Sequence, residues 1–578
     1  MKTKTNEIEL SFNLDKIDEI YDFFQMKTSE KYILKGAKVL DLVESPIKAQ
    51  SITFDNGKSA FAMFEKKSIR LQDLQNQIDD KSIMVRKVLP IELKPLILGR
   101  LFLYALSNSI FSDFQFNNLT GKLYVFFPGK NLKYLKALSI DLTNFNETLK
   151  IEANATSFTR ADAFKNKDDI KGYPRYYFSN NSTMKRVMDD QDSFLYVHKS
   201  FSNSKTRIPF ISFSKKDIEK TKCFALHKTI EEYNKRYDGL SSIMLKTFNI
   251  EKRLTSKKDK DFFDRTLDSL KDKTINFVNM DITPEDNTMF DILVQNLSSI
   301  SNGFNVKISP NIEDKSLNVI FLHNEDYYLN NKIDDPYKSF KRNNVIQCVT
   351  AEDVGIDCTE IICKTILKEL AIKNDIINKG KISLDDWASF NFTKKWVFGL
   401  LDNDVSYFLE IDPDGTFKTI HPTGMFKTYK TDFYKNLDFI LQSFKGKGKT
   451  LIADDKGNIN VISCTGSFAL PDEEVFSNPS RSIKNVENHM AGLSGINLYK
   501  IDDRIFYNVG TFDKGMPSSL SNASLFYECQ VVKGEAIIES ILESMSVLFV
   551  KWNNYTVYPY PVKYLREWIE IVRSKELG

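Results

Sequence analysis

Apolar and polar positions change period several times along the chain, most clearly in its middle. INFVNM (275–280), NVKIS (305–309), LNVIFLH (317–323) and VIQCVT (345–350) are short apolar runs. Such runs, rich in β-branched residues, predict buried strands. From about Asp286 to Ser301 the spacing turns helical. From Thr359 to about Ile376, Ile361, Ile362, Ile366, Leu367 and Leu370 are apolar and Lys364, Lys368 and Lys373 fall on the polar side, which predicts an amphipathic helix. This alternation predicts an α/β unit with its ligand end at the carboxyl ends of the strands.

The first 214 residues read differently. IELSFNL opens the chain in strand alternation, and Leu89 to Leu106 is a leucine-rich helix with Pro90 and Pro95 near its start. KLYVFFP, KALSIDL, LKIEANATSFT, SFLYVHKSF and IPFISFS then predict strands over 122–214. Ile218 to Lys235 reads as a helix, and the mixed-charge run Glu251 to Lys273 as a solvated helix or hinge. Farther on, KWVFGLL (395–401) and TLIADD (450–455) predict strands, the second before a Lys-Gly turn.

A chain of 578 residues has room for three or four units of ordinary domain size. Its 42% apolar content excludes a disordered chain. No run approaches the roughly 20 apolar residues of a membrane helix, and MKTKTNEIELSF has no signal-peptide core, so a cytoplasmic location is expected. Eighty basic against 77 acidic residues give +3, too balanced to announce nucleic acid by itself. The six cysteines form no C-x-x-C pair, which predicts reduced core thiols and no structural zinc.

Chemistry concentrates between Leu317 and Lys373. Asp335 reads as a helix N-cap and Pro336 as the first helical position. A helical turn there would place Tyr337 and Lys341 four apart on one face, with Gln347 in the next strand and Lys373 about 26 residues beyond it. A ring that stacks on a base, with ammonium groups and an amide that hold a terminal phosphate, suits the end of a nucleotide strand. By itself a Tyr-x-x-x-Lys turn more often marks a solvated helix face with a partly buried tyrosine.

The order of these pieces resembles the 5′-phosphate pocket of the MID domain of prokaryotic Argonautes. Ser544 to Trp568, SMSVLFVKWNNYTVYPYPVKYLREW, resembles the close of a PIWI domain. The resemblance implies an α/β protein whose β-rich N-terminal half precedes a Rossmann-like MID domain and an RNase H-like PIWI domain. It gives Tyr337, Lys341, Gln347 and Lys373 the guide 5′-phosphate. Residues 1–112 correspond to an N domain, 113–216 to a β-rich linker region, 217–273 to a second linker, 274–378 to MID and 379–578 to PIWI. Only about 60 residues lie between Thr159 and Asp217, too few for a full PAZ barrel, so PAZ is expected to be absent or reduced.

Cutting members of the family place acidic residues around two metal ions. Leu401 stands where the first is expected, and Asp402 one residue on; Asp455 fits the second, although Asp-Asp-Lys-Gly is also a hairpin sequence. Leu565 or Arg566 occupies the last. The resemblance therefore implies an inactive PIWI domain, with Asp402 and Asp455 as residual metal ligands. It also implies a Mg²⁺ bridging the guide phosphate, held by Gln347 and the carboxylate of Gly578. Gly448-Lys449-Thr450 imitates a phosphate loop, but Ser443 replaces its first glycine and the segment continues as a strand. Lys445, Lys447 and Lys449 suit a nucleic-acid backbone or simply an exposed basic loop.

The implied function is guide binding and recognition of complementary nucleic acid, expected to be DNA, without cutting. A separate effector (nuclease, helicase or NAD-consuming enzyme) would supply the output in defence against plasmids or phages. An active metal-dependent guided nuclease and a protein-only scaffold are the alternatives. Guide sugar is not legible, because 2′-hydroxyl contacts leave no spacing.

Overall fold

The computed structural model describes the chain except residues 29–48, 56, 58, 79–81, 107–115, 120–121, 128–132, 146, 165, 179–183, 188–194, 199–207, 255–258, 281–286, 301–302, 315, 341–343, 355–359, 384–386, 388–393, 423–428, 445–449, 480–490, 511–518, 543–556 and 577–578. Lys341, Gly578, the three loop lysines and most of the Ser544–Trp568 run thus lie outside the described residues. No described helix is long and apolar enough to cross a membrane.

The described residues form a mixed α/β protein of two compact units. One comprises Met1–Asn249, Gly466–Ser494 and Phe512–Ser524; the other comprises Ile250–Thr465, Gly495–Thr511 and Leu525–Gly578. Strand pairing draws late residues back into the first unit: Lys4 and Thr5 pair with Leu470 and Ala469, and Ile211 and Ser212 with Leu520 and Ser519.

The first unit is strand-rich. The strand Lys2–Phe12 runs antiparallel to Ser241–Asn249, with a register shift between Lys4 and Ile8. An antiparallel sheet of Ser51–Asp55, Ser59–Glu65, Tyr21–Thr28 and Ile83–Val88 buries Phe24, Met26, Ile52 and Phe64 with Leu74 and Ile78. The leucine-rich helix starts only at Pro95 and ends at Ala105, because Pro90 opens a separate 3₁₀ turn, Pro90–Glu92. Tyr134–Phe145 and Thr148–Arg160 form one long hairpin. The expected strands SFLYVHKSF and IPFISFS shrink to Tyr196–Val197 and Ile211–Ser212 among the described residues.

The second unit holds the α/β element. Thr274–Asn279, Asn305–Ile308, Leu317–Leu322 and Val345–Thr350 form a four-stranded, wholly parallel sheet. Its spatial order places Asn305–Ile308 at one edge and Val345–Thr350 at the other. Val319, Ile320 and Phe321 of the central strand are fully buried, as expected for a parallel strand covered on both faces. The helix Glu360–Asn374 packs on the edge strand Val345–Thr350 and on the helices Asp259–Leu270, Asn287–Ile300 and Pro561–Glu576. Enclosed in this way, it buries Lys368 and Glu369 along with Leu367 and Leu370. The amphipathic expectation is corrected there: Lys368 is not on a solvated side.

A second sheet in this unit contains Phe417–Ile420, Val405–Ile411, Trp396–Asp402, Thr450–Asp454 and the start of Ile459–Leu470, each antiparallel to its neighbour. Ile496–Ile501, Arg504–Val509 and Leu525–Lys533 form a further antiparallel run.

Candidate nucleotide-end site

Asp335 caps a turn as its sequence predicts: its carboxylate accepts the Tyr337 N–H at 2.9 Å, and Pro336 takes the first position. The turn, however, is a single 3₁₀ turn, Pro336–Ser339, closed by Phe340 in an extended conformation. Residues three apart are aligned in such a turn. The Tyr337 ring accordingly meets Phe340, edge to face with centroids 6.1 Å apart, and remains 43% exposed.

Gln347 lies in the middle of the edge strand, which pairs on one side with Leu317–Leu322. Lys373, near the end of the helix Glu360–Asn374, donates to the Ile346 carbonyl at 2.8 Å and to Gln347 Oε1 at 2.8 Å. Gln347 Nε2 donates to the Cys348 carbonyl at 3.1 Å. Amide and ammonium are therefore fixed to each other and to the strand.

Tyr337, Gln347 and Lys373 line one cavity of about 270 Å³. Phe340, Asn344 and Ile346 line the same space, and the C-terminal helix Pro561–Glu576 adds Glu567, Glu570 and Ile571. The cavity runs along the flank of the edge strand. It is not at the carboxyl ends of the strands, where the α/β pattern placed the ligand, because Lys373 and the C-terminal helix approach from the side.

Glu567, Glu570 and Ile571 follow helical spacing and share one helix face. Sequence reasoning missed them: they stand about 220 residues beyond Gln347, and only that i, i+3, i+4 spacing after Pro559-Tyr560-Pro561 marked them. Behind the cavity wall, Lys563 Nζ stands 3.2 Å from Glu369 and 2.6 Å from Glu567. Burial raises the Glu369 carboxyl, with the Glu567 charge adding to the shift. Burial acts on Glu567 too, but the Lys563 and Lys373 ammonium groups outweigh it and hold that carboxyl below its usual range.

The positions expected to hold catalytic metal do not converge. Asp402 closes Trp396–Asp402 opposite Val405, while Trp396, at the other end of that strand, pairs with Asp454. Asp455 contacts Lys395: their backbones bond at 3.2 Å, and the Lys395 N–H reaches the Asp455 carboxylate at 3.3 Å. Asp402 and Asp455 thus stand roughly 20 Å apart at ~3.3 Å per residue, too far to share ions that sit about 4 Å apart in two-metal sites.

Asp454 is buried and committed to its turn, accepting the N–H groups of Lys456 and Asn458 at 3.1 and 3.0 Å and the Asn458 amide at 2.9 Å, with Lys394 as ion-pair partner. Leu565 is buried, and the Arg566 guanidinium lies 5.3 Å over the Tyr558 ring. Among the described residues no three His, Cys, Asp or Glu gather as metal ligands. Nor does Gln347 suit the expected Mg²⁺: its oxygen already holds the Lys373 ammonium, a cation where the metal would sit.

No protein-family model matches the chain, and no curated protein matches it. Among solved structures it is similar to Marinitoga piezophila Argonaute in complex with 5′ OH guide RNA, at 12% identity over 98% of each chain and a TM-score of 0.43. The same protein with 5′ OH guide RNA and target DNA gives 11% identity over 98% of each chain and a TM-score of 0.44. Drosophila Piwi gives 11% identity over 99% of this chain and 97% of that one, with a TM-score of 0.38. Identities and TM-scores this low leave the functional weight on the cavity itself.

Proposed function

We propose that this chain is an Argonaute-type guide-binding protein. In this reading the parallel α/β element acts as the MID domain, the antiparallel sheet with the C-terminal helix acts as the PIWI region, and the cavity receives the first nucleotide of a short guide strand. The observation that carries the reading is the convergence of Tyr337, Gln347 and Lys373, from a turn, a strand and a helix, on one cavity of about 270 Å³. An exposed ring for a base, beside an ammonium held by an amide, is the chemistry a strand terminus needs. Base pairing to the held guide would then supply sequence specificity, and the protein would read duplex shape and backbone.

Target cutting is not part of the proposal, because Asp402 and Asp455 stand at opposite ends of one strand pair. A separate effector would act once a complementary strand is bound, in defence against plasmids or phages. An RNA guide with a DNA target is the combination to test first, since the Marinitoga protein is described with that pair.

The test is to purify the chain from its host, extract accompanying nucleic acid and sequence it. Short strands of uniform length are expected. A protein that arrives empty and binds no added oligonucleotide, whatever its 5′ end, would overturn the reading in favour of a protein-only scaffold.

A further inference from the structure

Behind the cavity, two helical turns bring four charges face to face. Glu369 and Lys373 stand one turn apart on the helix Glu360–Asn374, and Lys563 and Glu567 one turn apart on the C-terminal helix Pro561–Glu576. The Lys563 ammonium, on a side chain only 14% exposed, lies 3.2 Å from Glu369 and 2.6 Å from Glu567. Burial pulls that ammonium down, but the two carboxylates outweigh it and keep the group charged. Lys373 donates instead to the Ile346 carbonyl and to Gln347 Oε1, yet its charge also acts on both carboxylates. Of the four groups, Lys373 and Glu567 line the cavity.

A buried carboxylate is expensive to leave without its counter-ion, so it takes a proton or draws in another cation. Glu369 is set to take the proton, because burial already raises its carboxyl. Glu567 differs: burial acts on it too, but Lys563 and Lys373 together hold it below its usual range. With Lys563 gone, Lys373 remains of these two cations. Lysine is a point charge on a flexible four-carbon stem and can swing from one acceptor to another. Lys373 would then leave Gln347 and the Ile346 carbonyl for Glu567, and the strand end would lose the ammonium together with the amide that the ammonium fixes.

Resting on the guide-binding reading, we infer that Lys563 is a positioning residue for the guide end: by answering Glu567 from behind the cavity wall, it leaves Lys373 on Gln347, where the strand end meets it. Lys563 acts from outside the described lining, through Glu567 and Lys373.

The experiment is a double-substitution cycle on the full chain, with Lys563→Met and Glu567→Gln singly and together. RNA and DNA oligonucleotides of one sequence, bearing a 5′ phosphate or a 5′ hydroxyl, are titrated onto the unsubstituted protein, and the tightest binder is carried through the cycle beside melting temperatures. Lys563→Met, which keeps the aliphatic stem, should weaken binding at least about tenfold, whereas in a chain already carrying Glu567→Gln the same change should cost less than about threefold. A lysine that merely holds the helices together gives the other result, a loss that is equal in both backgrounds and follows the fall in melting temperature. That result, or full binding by Lys563→Met, overturns the inference and leaves the guide-binding reading standing. If Lys563→Met does not fold, Lys563→Gln, uncharged but still a donor, is taken through the same cycle with the same two outcomes. An unsubstituted protein that binds none of the oligonucleotides overturns the guide-binding reading itself, and this inference with it.

Discussion

The flank of the parallel sheet and the antiparallel sheet of the same unit were each expected to carry a site, and they handle distant residues in opposite ways. At the flank, a one-turn segment, a strand and two helices bring Tyr337, Gln347, Lys373 and Glu570 to a single cavity, although Glu570 stands about 200 residues beyond Lys373 in sequence. In the antiparallel sheet, Asp402 and Asp455 follow neighbouring strands that run in opposite directions. Residues that close two parallel strands meet at one edge; residues that close two antiparallel strands are parted by the strand's length. Strand direction keeps the two carboxylates of the antiparallel pair apart, whereas at the flank elements that dock from the side bring the cavity's residues together.

The largest effect expected from breaking this contrast is on stability. Asp454→Ala should cost about 3 kcal/mol, because it strands Lys394 and three turn donors at a buried position. Guide binding should stay unchanged, as read by denaturant titration beside oligonucleotide binding. Burial works against the Asp454 carboxylate, and Lys394 with Asn458 outweighs it, so its pKa is held below the usual range. Its contribution is therefore complete above the unfolded carboxyl value of about 4 and fades as pH falls through the lower folded value. The wild type should lose melting temperature across that acid window, and the variant should lose less.

Next comes Lys373→Ala. Removing the donor to the Ile346 carbonyl and Gln347 Oε1 should weaken guide loading by roughly 2 kcal/mol, about thirtyfold. Unchanged loading would detach the cavity from the guide. Tyr337→Ala should weaken it by roughly 1 kcal/mol, about fivefold, the low end for base stacking because the ring is 43% exposed. Filter binding at fixed salt measures both. The smallest expected effect is none: Asp402→Asn combined with Asp455→Asn should leave a complementary target as intact as the unsubstituted chain leaves it, in Mg²⁺ or Mn²⁺. A target cut by the wild type and spared by this variant would break the contrast.

Much of the parallel element was legible before any coordinates. The runs INFVNM, NVKIS, LNVIFLH and VIQCVT become strands within a residue or two of their expected ends, because a strand buried on both faces leaves an unbroken apolar signature. Asp335-Pro336 likewise announced its turn. The turn's 3₁₀ geometry was not legible, since the same cap opens an α-helix. Lys368 was misplaced on a solvated face because periodicity reports one contact surface, whereas this helix is enclosed by a strand and three helices. Glu567 and Glu570 were invisible as site residues because their role depends on where a remote helix docks. Asp455 fitted the family's spacing, but spacing along a chain carries no information about strand direction.

The Lys373 bond to Ile346 has a consequence for solubility. Val345–Thr350 borders the parallel sheet, and a border strand offers its backbone groups to any extended chain that comes alongside. By occupying one of those carbonyls, Lys373 also blunts the border against strand addition. A variant lacking this lysine would expose an adhesive edge as well as losing its grip on a guide. Light scattering of the Lys373→Ala protein should then show self-association that a Tyr337→Ala protein, with the lysine in place, does not.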